Sequence, residues 1–320
     1  MLFSQLPPTY APIGQPLLCT LSQITAPSVE VQIHLAPHGL IGTKRFVNQS
    51  SVTFDIAPYL AHRALIDIPH GATAAEFRID RLLEVKLCAV TANETVETAP
   101  MMLRPARRSE SAPTLLTTLP AVRLLAEDES DELSFLAPDS QILQVRVIHR
   151  DGSETTTTQL VRGSGICCYR LVAADYPDAD CIVVEGSATD RVQYTLTPPL
   201  EGSCRLAWLS SRGSIEHYTF PTTKCIEHEV DKSRAYGADG FCAPRSEREE
   251  RLVLQSAFET ESMMQGICEL LDSEQVWRVN KGLYERVDIV TESAKINTLS
   301  GFSTLQLTLR PIFKNTSLCN

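Results

Sequence analysis

The sequence lacks any run of about 18 consecutive apolar residues, the length that a membrane-spanning helix needs. Its mean hydropathy is −0.06. Basic residues are also few, since 29 Lys and Arg stand against 39 Asp and Glu and give a formal charge of −10. Without a broad positive field, a chain does not bind nucleic acid over its whole surface. We therefore predict no membrane insertion and no general binding of nucleic acid.

None of the ten cysteines belongs to a C-x-x-C pair, so the spacing of zinc ribbons and thioredoxin-like sites is absent. The first residues, MLFSQLPPTYAPIGQP, show no basic start followed by an apolar stretch. This predicts that the chain has no secretory signal and is made in the cytoplasm, where thiols stay reduced. The cysteines are therefore predicted to be free and to act as small apolar side chains.

The common motifs of enzyme sites are missing as well. Neither GxGxxG nor GxxxxGK[ST] occurs. Residues 162–165 (RGSG) do not have the G-x-S-x-G spacing, and they are predicted to form a hairpin turn. Cys167 and Cys168 lie in a predicted strand that turns one thiol to the core and one away from it, with no cation beside them to activate either. We predict a protein that is not an enzyme and has no catalytic, cofactor-binding or metal-binding residues.

Two groups of histidines and carboxylates could in principle bind a metal or transfer a proton. His34 and His38 are four residues apart, but Pro37 and the strand pattern before it exclude a shared helical face. The densest group is 227–229 (EHE), with Glu216 and His217 in the preceding strand. Strand alternation places Glu227 and Glu229 on one face and His228 on the other, which favours a solvated sheet face over a metal site.

The two tryptophans, Trp208 and Trp277, are the remaining large side chains that could form a site. An exposed tryptophan on a β-sandwich can bind a sugar ring, whereas a core or inter-subunit position is the commoner place for one. Aromatic residues make up only 6% of the chain, which is few for a carbohydrate-binding surface. We therefore expect both tryptophans to lie in a core or between subunits.

Most of the chain alternates apolar and polar residues in short runs separated by Pro, Gly, Asn, Asp and Ser, as half-buried strands do. Clear examples are VEVQIHL at 29–35, SVTFDI at 51–56, ILQVRVIHR at 142–150 and LQLTLRPIF at 305–313. Long helices do not intervene, which favours antiparallel sandwiches over a parallel sheet. The fold class predicted is all-β, with tandem β-sandwich (Ig-like) domains and a C-terminal β domain that carries one packed α-helix.

The predicted domain organisation has three units. Residues 1–103 form a first β-sandwich, 104–117 a linker rich in Pro and Arg, 118–200 a second β-sandwich and 204–320 the C-terminal β domain. The linker contains the basic residues Arg104, Arg107 and Arg108, and the acidic run EDESDE at 127–132 follows it. Both charged groups are predicted to be solvated loops.

The single convincing helix is predicted at 261–272. An apolar stripe with helical spacing runs along it, and Ser262 is positioned to cap its start with Gln265 three residues later. The stripe consists of Met263, Met264, Ile267, Leu270 and Leu271. After the helix, the turn residues 280–282 (NKG) separate two apolar runs and predict a β-hairpin.

The C-terminal region, 249–313, resembles the distal tail and tail-tube-related structural proteins of bacteriophages. The resemblance rests on a strand at 251–258, the helix, a hairpin ending in Y-x-x-V at Tyr284 and Val287, and a last amphipathic strand at 305–313. The hairpin RLAWLSSRGSIEHYTF at 205–220 and the opening GQPLLCTL are similar to uncharacterised tail-region proteins of Bacteroidota phages. In typical distal tail proteins this unit opens the chain, whereas here about 200 residues precede it.

The resemblance implies a virion structural protein, made in the host bacterial cytoplasm, that forms a phage tail or baseplate ring. Its partners would be copies of itself, in threefold or sixfold rings, and other tail or baseplate proteins, with DNA only as passing cargo. An acidic channel lining would repel the phosphates of that DNA. The alternative is a β-sandwich module that binds a glycan or protein at a host surface.

Overall fold

A computed structural model describes residues 1–61, 63, 66, 74–110, 114–186, 190–238, 240–297, 301–312 and 315–317. Strands dominate these residues, so the predicted all-β class is confirmed. The described residues contain one short α-helix near the N-terminus, α1 (Ala57–Leu60), and one near the C-terminus, α2 (Glu261–Ile267). Three short 3-10 helices accompany them, at Ile79–Arg81, Ala173–Asp175 and Cys268–Leu271.

The N-terminal unit consists of two sheets around one core. One sheet has the order β1-β2-β5 and the other the order β4-β3-β7-β8, with β9 also paired to β7. In β3 the side chains alternate between buried and half-buried along all eight residues, as the sequence pattern predicts. The strands are β1 (Leu2–Gln5), β2 (Leu18–Ser22), β3 (Ser28–Leu35), β4 (Gly39–Val47), β5 (Ser51–Asp55), β6 (Glu76–Phe77), β7 (Leu83–Val90), β8 (Thr95–Glu97) and β9 (Met101–Leu103).

The second unit is a sandwich of the sheets β10-β12-β15-β6 and β11-β17-β16-β13-β14. Strand β6 belongs to the first 103 residues, yet it pairs with β15, so the first two units share a sheet. Strand β11 is parallel to its neighbour β17. The pairs β17–β16 and β16–β13 of the same sheet are antiparallel. The strands are β10 (Thr114–Leu115), β11 (Val122–Ala126), β12 (Ser130–Ala137), β13 (Gln141–His149), β14 (Glu154–Val161), β15 (Gly165–Val172), β16 (Ala179–Glu185) and β17 (Arg191–Thr197).

The C-terminal unit is built on a curved sheet with the order β19-β18-β23-β24-β26-β21-β20, and β27 also pairs with β21. Strands β19 and β20 stand at opposite ends of this order, but only Pro221 separates them in sequence, so the sheet must curve round to bring its ends together. The strands are β18 (Cys204–Leu209), β19 (Ile215–Phe220), β20 (Thr222–Gly237), β21 (Gly240–Gln255), β22 (Glu259–Thr260), β23 (Val276–Asn280), β24 (Leu283–Ile289), β25 (Phe302–Ser303), β26 (Gln306–Pro311) and β27 (Asn315–Ser317).

The predicted C-terminal helix is present, with its last turn in the tighter 3-10 form. Met264, Ile267 and Leu270 of the predicted stripe are buried in the core of the curved sheet. The cap differs from the prediction: the hydroxyl of Thr260 accepts a hydrogen bond from the backbone N–H of Met263, and Ser262 lies inside the helix. Thr260 takes this place because the helix begins at Glu261, two residues earlier than a Ser262 cap requires.

Gly266 lets the helix approach the segment before β11 closely. A Cβ atom at this position would lie 2.7 Å from Leu119 Cδ2 and 2.8 Å from the carbonyl oxygen of Thr118. In an open helix, Gly→Ala stabilises by about 1 kcal/mol. Here we expect Gly266→Ala to destabilise the protein by about 1–3 kcal/mol, because the backbone of Thr118 would have to move.

Urea unfolding monitored by circular dichroism measures this change. Ser262→Ala is the control, since Ser262 is exposed on the same helix and its replacement should shift stability by no more than about 0.5 kcal/mol. A stabilising Gly266→Ala would mean that the helix does not contact residues 118–119.

Two predicted turns have different outcomes. Lys281 and Gly282 both have positive φ and join β23 to β24, so the predicted hairpin is confirmed. Residues 162–165 do not form the predicted hairpin turn, because β14 and β15 belong to different sheets and the segment crosses between them. Gly163 and Gly165 adopt positive φ at this crossing, and Gly163 packs against the ring of Phe77.

The basic group in the predicted linker is not a solvated loop throughout. Arg104 is fully buried, and its guanidinium donates to the carbonyl oxygens of Tyr10, Arg212 and Arg108. Farther along, β10 places Leu115 in the core of the second unit. The segment is therefore packed against all three units. Arg104 binds carbonyl groups of the first and third units, and Leu115 packs in the core of the second.

Candidate functional site

The feature of the C-terminal unit that extends farthest from a core is a long β-hairpin, which we call the arm (residues 222–255). Each of its strands, β20 and β21, has 16 residues, and they pair from Thr222↔Gln255 to Gly237↔Gly240. At about 3.3 Å per residue, the arm is about 50 Å long. Among the residues that the structure describes, the arm pairs with further strands at its base and middle, through β26 at residues 252–255 and β27 at residues 246–248. The remainder is a two-stranded ribbon.

The arm has a charge gradient along its length. We define its shaft as residues 222–231 and 246–255, and its tip as residues 232–245. The shaft contains three basic and six acidic side chains, a formal charge of −3, whereas the tip contains three basic side chains and one acidic, a formal charge of +2. Lys232 and Arg234 of the tip are exposed. An acidic protein therefore carries a small basic patch at the end of its longest projection.

Two aromatic side chains are also exposed at the tip. Tyr236 and Phe241 lie directly opposite each other across the two strands, and their ring centroids are 4.9 Å apart in an edge-to-face arrangement. They are 76% and 79% exposed. Aromatic residues and arginine are enriched at the centres of protein interfaces. The tip thus has the composition of a contact surface.

Residues 227–229, which the sequence predicts to be solvated, lie on the shaft. Glu227, His228 and Glu229 are exposed. Arg248 Nη2 lies 3.0 Å from the His228 ring nitrogens, and Arg251 forms an ion pair with Glu229. The arginines of β21 therefore neutralise part of this group, and in the part of the chain that the structure describes no cluster of three or more His, Cys, Asp or Glu could hold a metal ion.

Glu216 and His217, which the sequence placed near that group, are instead buried. Glu216 is 1% exposed and His217 is 5% exposed. The cause is the packing of β19 against β12 of the second unit, which covers the face that strand alternation alone leaves open. The solvated-face prediction is wrong for these two residues.

Asp131 is the centre of the buried polar cluster that His217 joins. One carboxylate oxygen of Asp131 lies 2.8 Å from His217 Nδ1, and the other accepts a hydrogen bond from the hydroxyl of Tyr194, also at 2.8 Å. Arg123 Nη1 is 3.4 Å from the same carboxylate. We call these four residues the Asp131 cluster. It corrects the prediction that 127–132 is a solvated loop, because β12 begins at Ser130 and carries Asp131 and Glu132 into the interior.

Glu216 extends the Asp131 cluster toward the end of the segment that the sequence predicts to be a linker (residues 104–117). Its carboxylate accepts hydrogen bonds from the hydroxyls of Thr117 and Ser214 and from the backbone N–H of Thr118. Arg123 Nη1 lies 3.5 Å from Glu216, so this guanidinium faces two buried carboxylates. The contacts join the segment before β11, the second sandwich and the curved sheet. A buried charge network of this kind specifies how these parts fit together.

The protonation of the cluster follows from its contacts. Burial alone would raise the pKa of Asp131, but His217, Arg123 and Arg205 outweigh burial and hold that pKa well below its ordinary value. Burial lowers the pKa of His217 and raises that of Glu216. Asp131 is therefore an anion beside a neutral imidazole at pH 7.

The imidazole of His217 also contacts a second phenol. Its Nε2 lies 3.0 Å from the hydroxyl of Tyr284, so Asp131, His217 and Tyr284 form a line like that of a catalytic triad. Burial raises the pKa of Tyr284, which is the opposite of what an activated nucleophile requires. The arrangement is suited to holding β19 and β24 against β12.

The remaining sequence candidates are buried as well. Cys167 faces the core of the second unit and Cys168 faces a separate small core, so the predicted alternation is confirmed while both thiols are buried. Burial raises the pKa of Cys167 to about 12, which makes it a poor nucleophile. Trp208 and Trp277 are buried in the C-terminal unit and give no sugar-binding face. The nine cysteines in the described part of the chain are all free.

Two comparisons of the sequence with known proteins found no match. No protein-family model matches this chain, and no curated protein matches its sequence. In the described residues, no helix is long and apolar enough to cross a membrane. The arm and the Asp131 cluster are therefore the two features of the chain that bear on its function.

Proposed function

We propose that this chain is a non-enzymatic structural subunit of a bacteriophage tail or baseplate ring. It would act in the virion through contacts with its own copies and with other tail proteins. The observation that carries the proposal is the arm, which is about 50 Å long by its residue count and ends in the exposed pair Tyr236 and Phe241. An isolated two-stranded ribbon is only marginally stable in water. The end of the arm beyond β27 is such a two-stranded ribbon, and its exposed rings fit a protein whose surface is completed by neighbours.

The segments that carry the resemblance to tail proteins support the proposal by their packing. The helix, the 276–289 hairpin and β26 contribute to one core with the base of the arm. The charge of the shaft also supports it, because an acidic surface beside a DNA channel would repel the phosphates of passing DNA. A structure of the assembly with residues 249–313 on its outer wall would contradict the channel role.

A protein-binding or glycan-binding module at a host surface is the second candidate. Tyr236 and Phe241 favour it too, since exposed rings on a loop also suit a ligand-binding surface. The two candidates differ in their behaviour in solution. A ring subunit self-associates, whereas a binding module stays a monomer and needs a foreign ligand.

Light scattering of the purified full-length protein over a concentration series, with negative-stain images, distinguishes them. We expect masses of three or six copies at the higher concentrations, and ring-shaped particles. The mass series repeated at high salt checks that association depends on charged surfaces. A monomer at every concentration would contradict the proposal and favour the binding module.

A further inference from the structure

The tip of the arm carries an exposed surface at the far end of the hairpin. The base of the arm is joined to the curved sheet: the N–H of Thr223 donates to the carbonyl oxygen of Gly202 at 3.2 Å, and β21 pairs with β26 at 252–255 and with β27 at 246–248. Its tip lies about 50 Å farther along the ribbon by residue count. Tyr236 and Phe241 are mostly exposed there. Two large rings and a net positive charge are therefore presented together to whatever approaches the tip.

A compact acidic surface with the opposite charge exists on the second sandwich. Three connections meet at one end of that sandwich: the turn between β11 and β12, the turn between β13 and β14, and the loop between β15 and β16. Arg150 ties them together, since its side chain pairs with Glu127 and its N–H donates to the carbonyl oxygen of Asp178. We call this surface the acidic pole, and its carboxylates are Glu127, Asp128, Asp151, Asp175, Asp178 and Asp180.

The acidic pole has unneutralised charge and an apolar contact point. Among the described residues, Asp175 and Asp178 take part in no ion pair, and both are exposed. Between them lie the half-buried ring of Tyr176 and the exposed Pro177. A surface with carboxylates around a proline and a tyrosine complements a tip with cations around two rings, in charge and in apolar contact.

We propose that the tip of one copy docks on the acidic pole of a second copy. This proposal rests on the proposed ring function and names the contact that would build the ring. Lys232 and Arg234 would face Asp175 and Asp178, and the rings of the tip would pack on Pro177. Because the two surfaces are different, the contact is heterologous and repeats from copy to copy, closing into a ring when the rotation allows.

The charge of the shaft favours a second copy over an anionic membrane or a nucleic acid. Either of those would extend past the tip and meet the shaft, whose six carboxylates would repel it. The acidic pole is confined to three connections, so it can contact the basic tip without extending along the acidic shaft. The partner that the charges select is therefore a compact acidic protein surface.

Charge reversal on each side tests the contact. We expect the tip variant Lys232→Glu with Arg234→Glu, and the pole variant Asp175→Lys with Asp178→Lys, each to need about ten-fold more protein for half-assembly. One chain that carries all four substitutions should assemble again, because every tip then meets a pole of opposite charge in a ring of any number of copies. Light scattering at fixed salt measures all three samples, and thermal unfolding verifies that each variant is folded.

The control variant is Arg45→Glu with Lys295→Glu, which makes the same change of charge at two exposed positions outside the arm and the pole. It should assemble as the wild type does. A tip variant that forms rings normally would overturn the docking proposal and leave the ring function standing. Loss of assembly that the combination of all four substitutions does not restore would overturn the pole as the partner.

Two further results would overturn the docking proposal. Flotation of the wild type with vesicles of equal phosphatidylglycerol and phosphatidylcholine, lost in the tip variant, would assign the tip to an anionic bilayer and overturn the proposal. A wild type that stays monomeric at every concentration would contradict the ring function and this contact together. The variant with all four substitutions, compared with the wild type, thus separates failure of the contact from failure of the function.

Discussion

Replacing Asp131 by alanine is expected to lower the free energy of unfolding by about 3–5 kcal/mol, the usual cost of removing one partner from a buried ion pair. The substitution removes the acceptor of the Tyr194 hydroxyl and the anion beside His217 and Arg123. Because those side chains are buried, water cannot easily replace the lost carboxylate. Urea unfolding followed by circular dichroism at pH 7 measures the change.

Asp128→Ala is the matched control for this prediction. Asp128 belongs to the same acidic run, but it is exposed in the turn before β12. Its replacement should alter the free energy of unfolding by no more than about 0.5 kcal/mol. Similar effects of the two substitutions would contradict the assignment of Asp131 to a buried cluster.

The advantage of the wild type over Asp131→Ala is expected to shrink in acid. Burial alone would raise the pKa of Asp131, but its contacts with His217, Arg123 and Arg205 hold that pKa below the ordinary value. A carboxyl group of this kind contributes its full stability above its unfolded pKa of about 3.9, and the contribution is lost as the pH falls through the folded pKa. A difference that stays constant between pH 7 and pH 3 would show that the charge of Asp131 is not what stabilises the fold.

Leu270→Asp is expected to unfold the C-terminal unit. Leu270 is 1% exposed and belongs to the core that joins the helix to the curved sheet. Truncating a buried leucine to alanine alone costs about 2–5 kcal/mol, and an unpaired carboxylate in the same place adds to that cost. Such a loss is comparable with the whole stability of a typical domain. Near-ultraviolet circular dichroism of the tryptophans, both of which lie in this unit, reports the change.

Leu283→Asp makes the same chemical change at an exposed position of the same unit. Leu283 is 62% exposed at the start of β24. This variant should fold, with a spectrum close to that of the wild type. A Leu270→Asp protein that folds and assembles normally would show that the helix stripe does not pack on the sheet.

Local patterns were sufficient to predict several elements. The alternation of β3, the turn at Lys281 and Gly282, and the burial of the helix stripe all depend on residues close together in the chain. Period and turn chemistry determine such features, because the contacts that stabilise them lie within one or two elements. The resemblance to tail proteins stays a prediction that the ring experiment tests.

Buried charges were the residues that local patterns misplaced. Asp131, Glu216 and Arg104 have charged side chains, and a charged run favours a solvated loop unless a partner is known. Their partners lie far away in sequence, since Asp131 pairs with His217 and Arg104 donates to the carbonyl oxygen of Arg212. One signal was available in β12, where Asp131 continues the alternation of Leu133 and Phe135 toward the core.

The sequence by itself determined the all-β class, the single packed C-terminal helix and the acidic character of the chain, because each depends on composition or short-range periodicity. Only the tertiary structure decided that β6 completes a sheet of the next unit, that β19 covers the Asp131 cluster, and that the hairpin 222–255 projects as an arm. These features arise where distant segments meet. Solvent exposure of a strand face is set by whatever packs on it, and no local pattern contains that information.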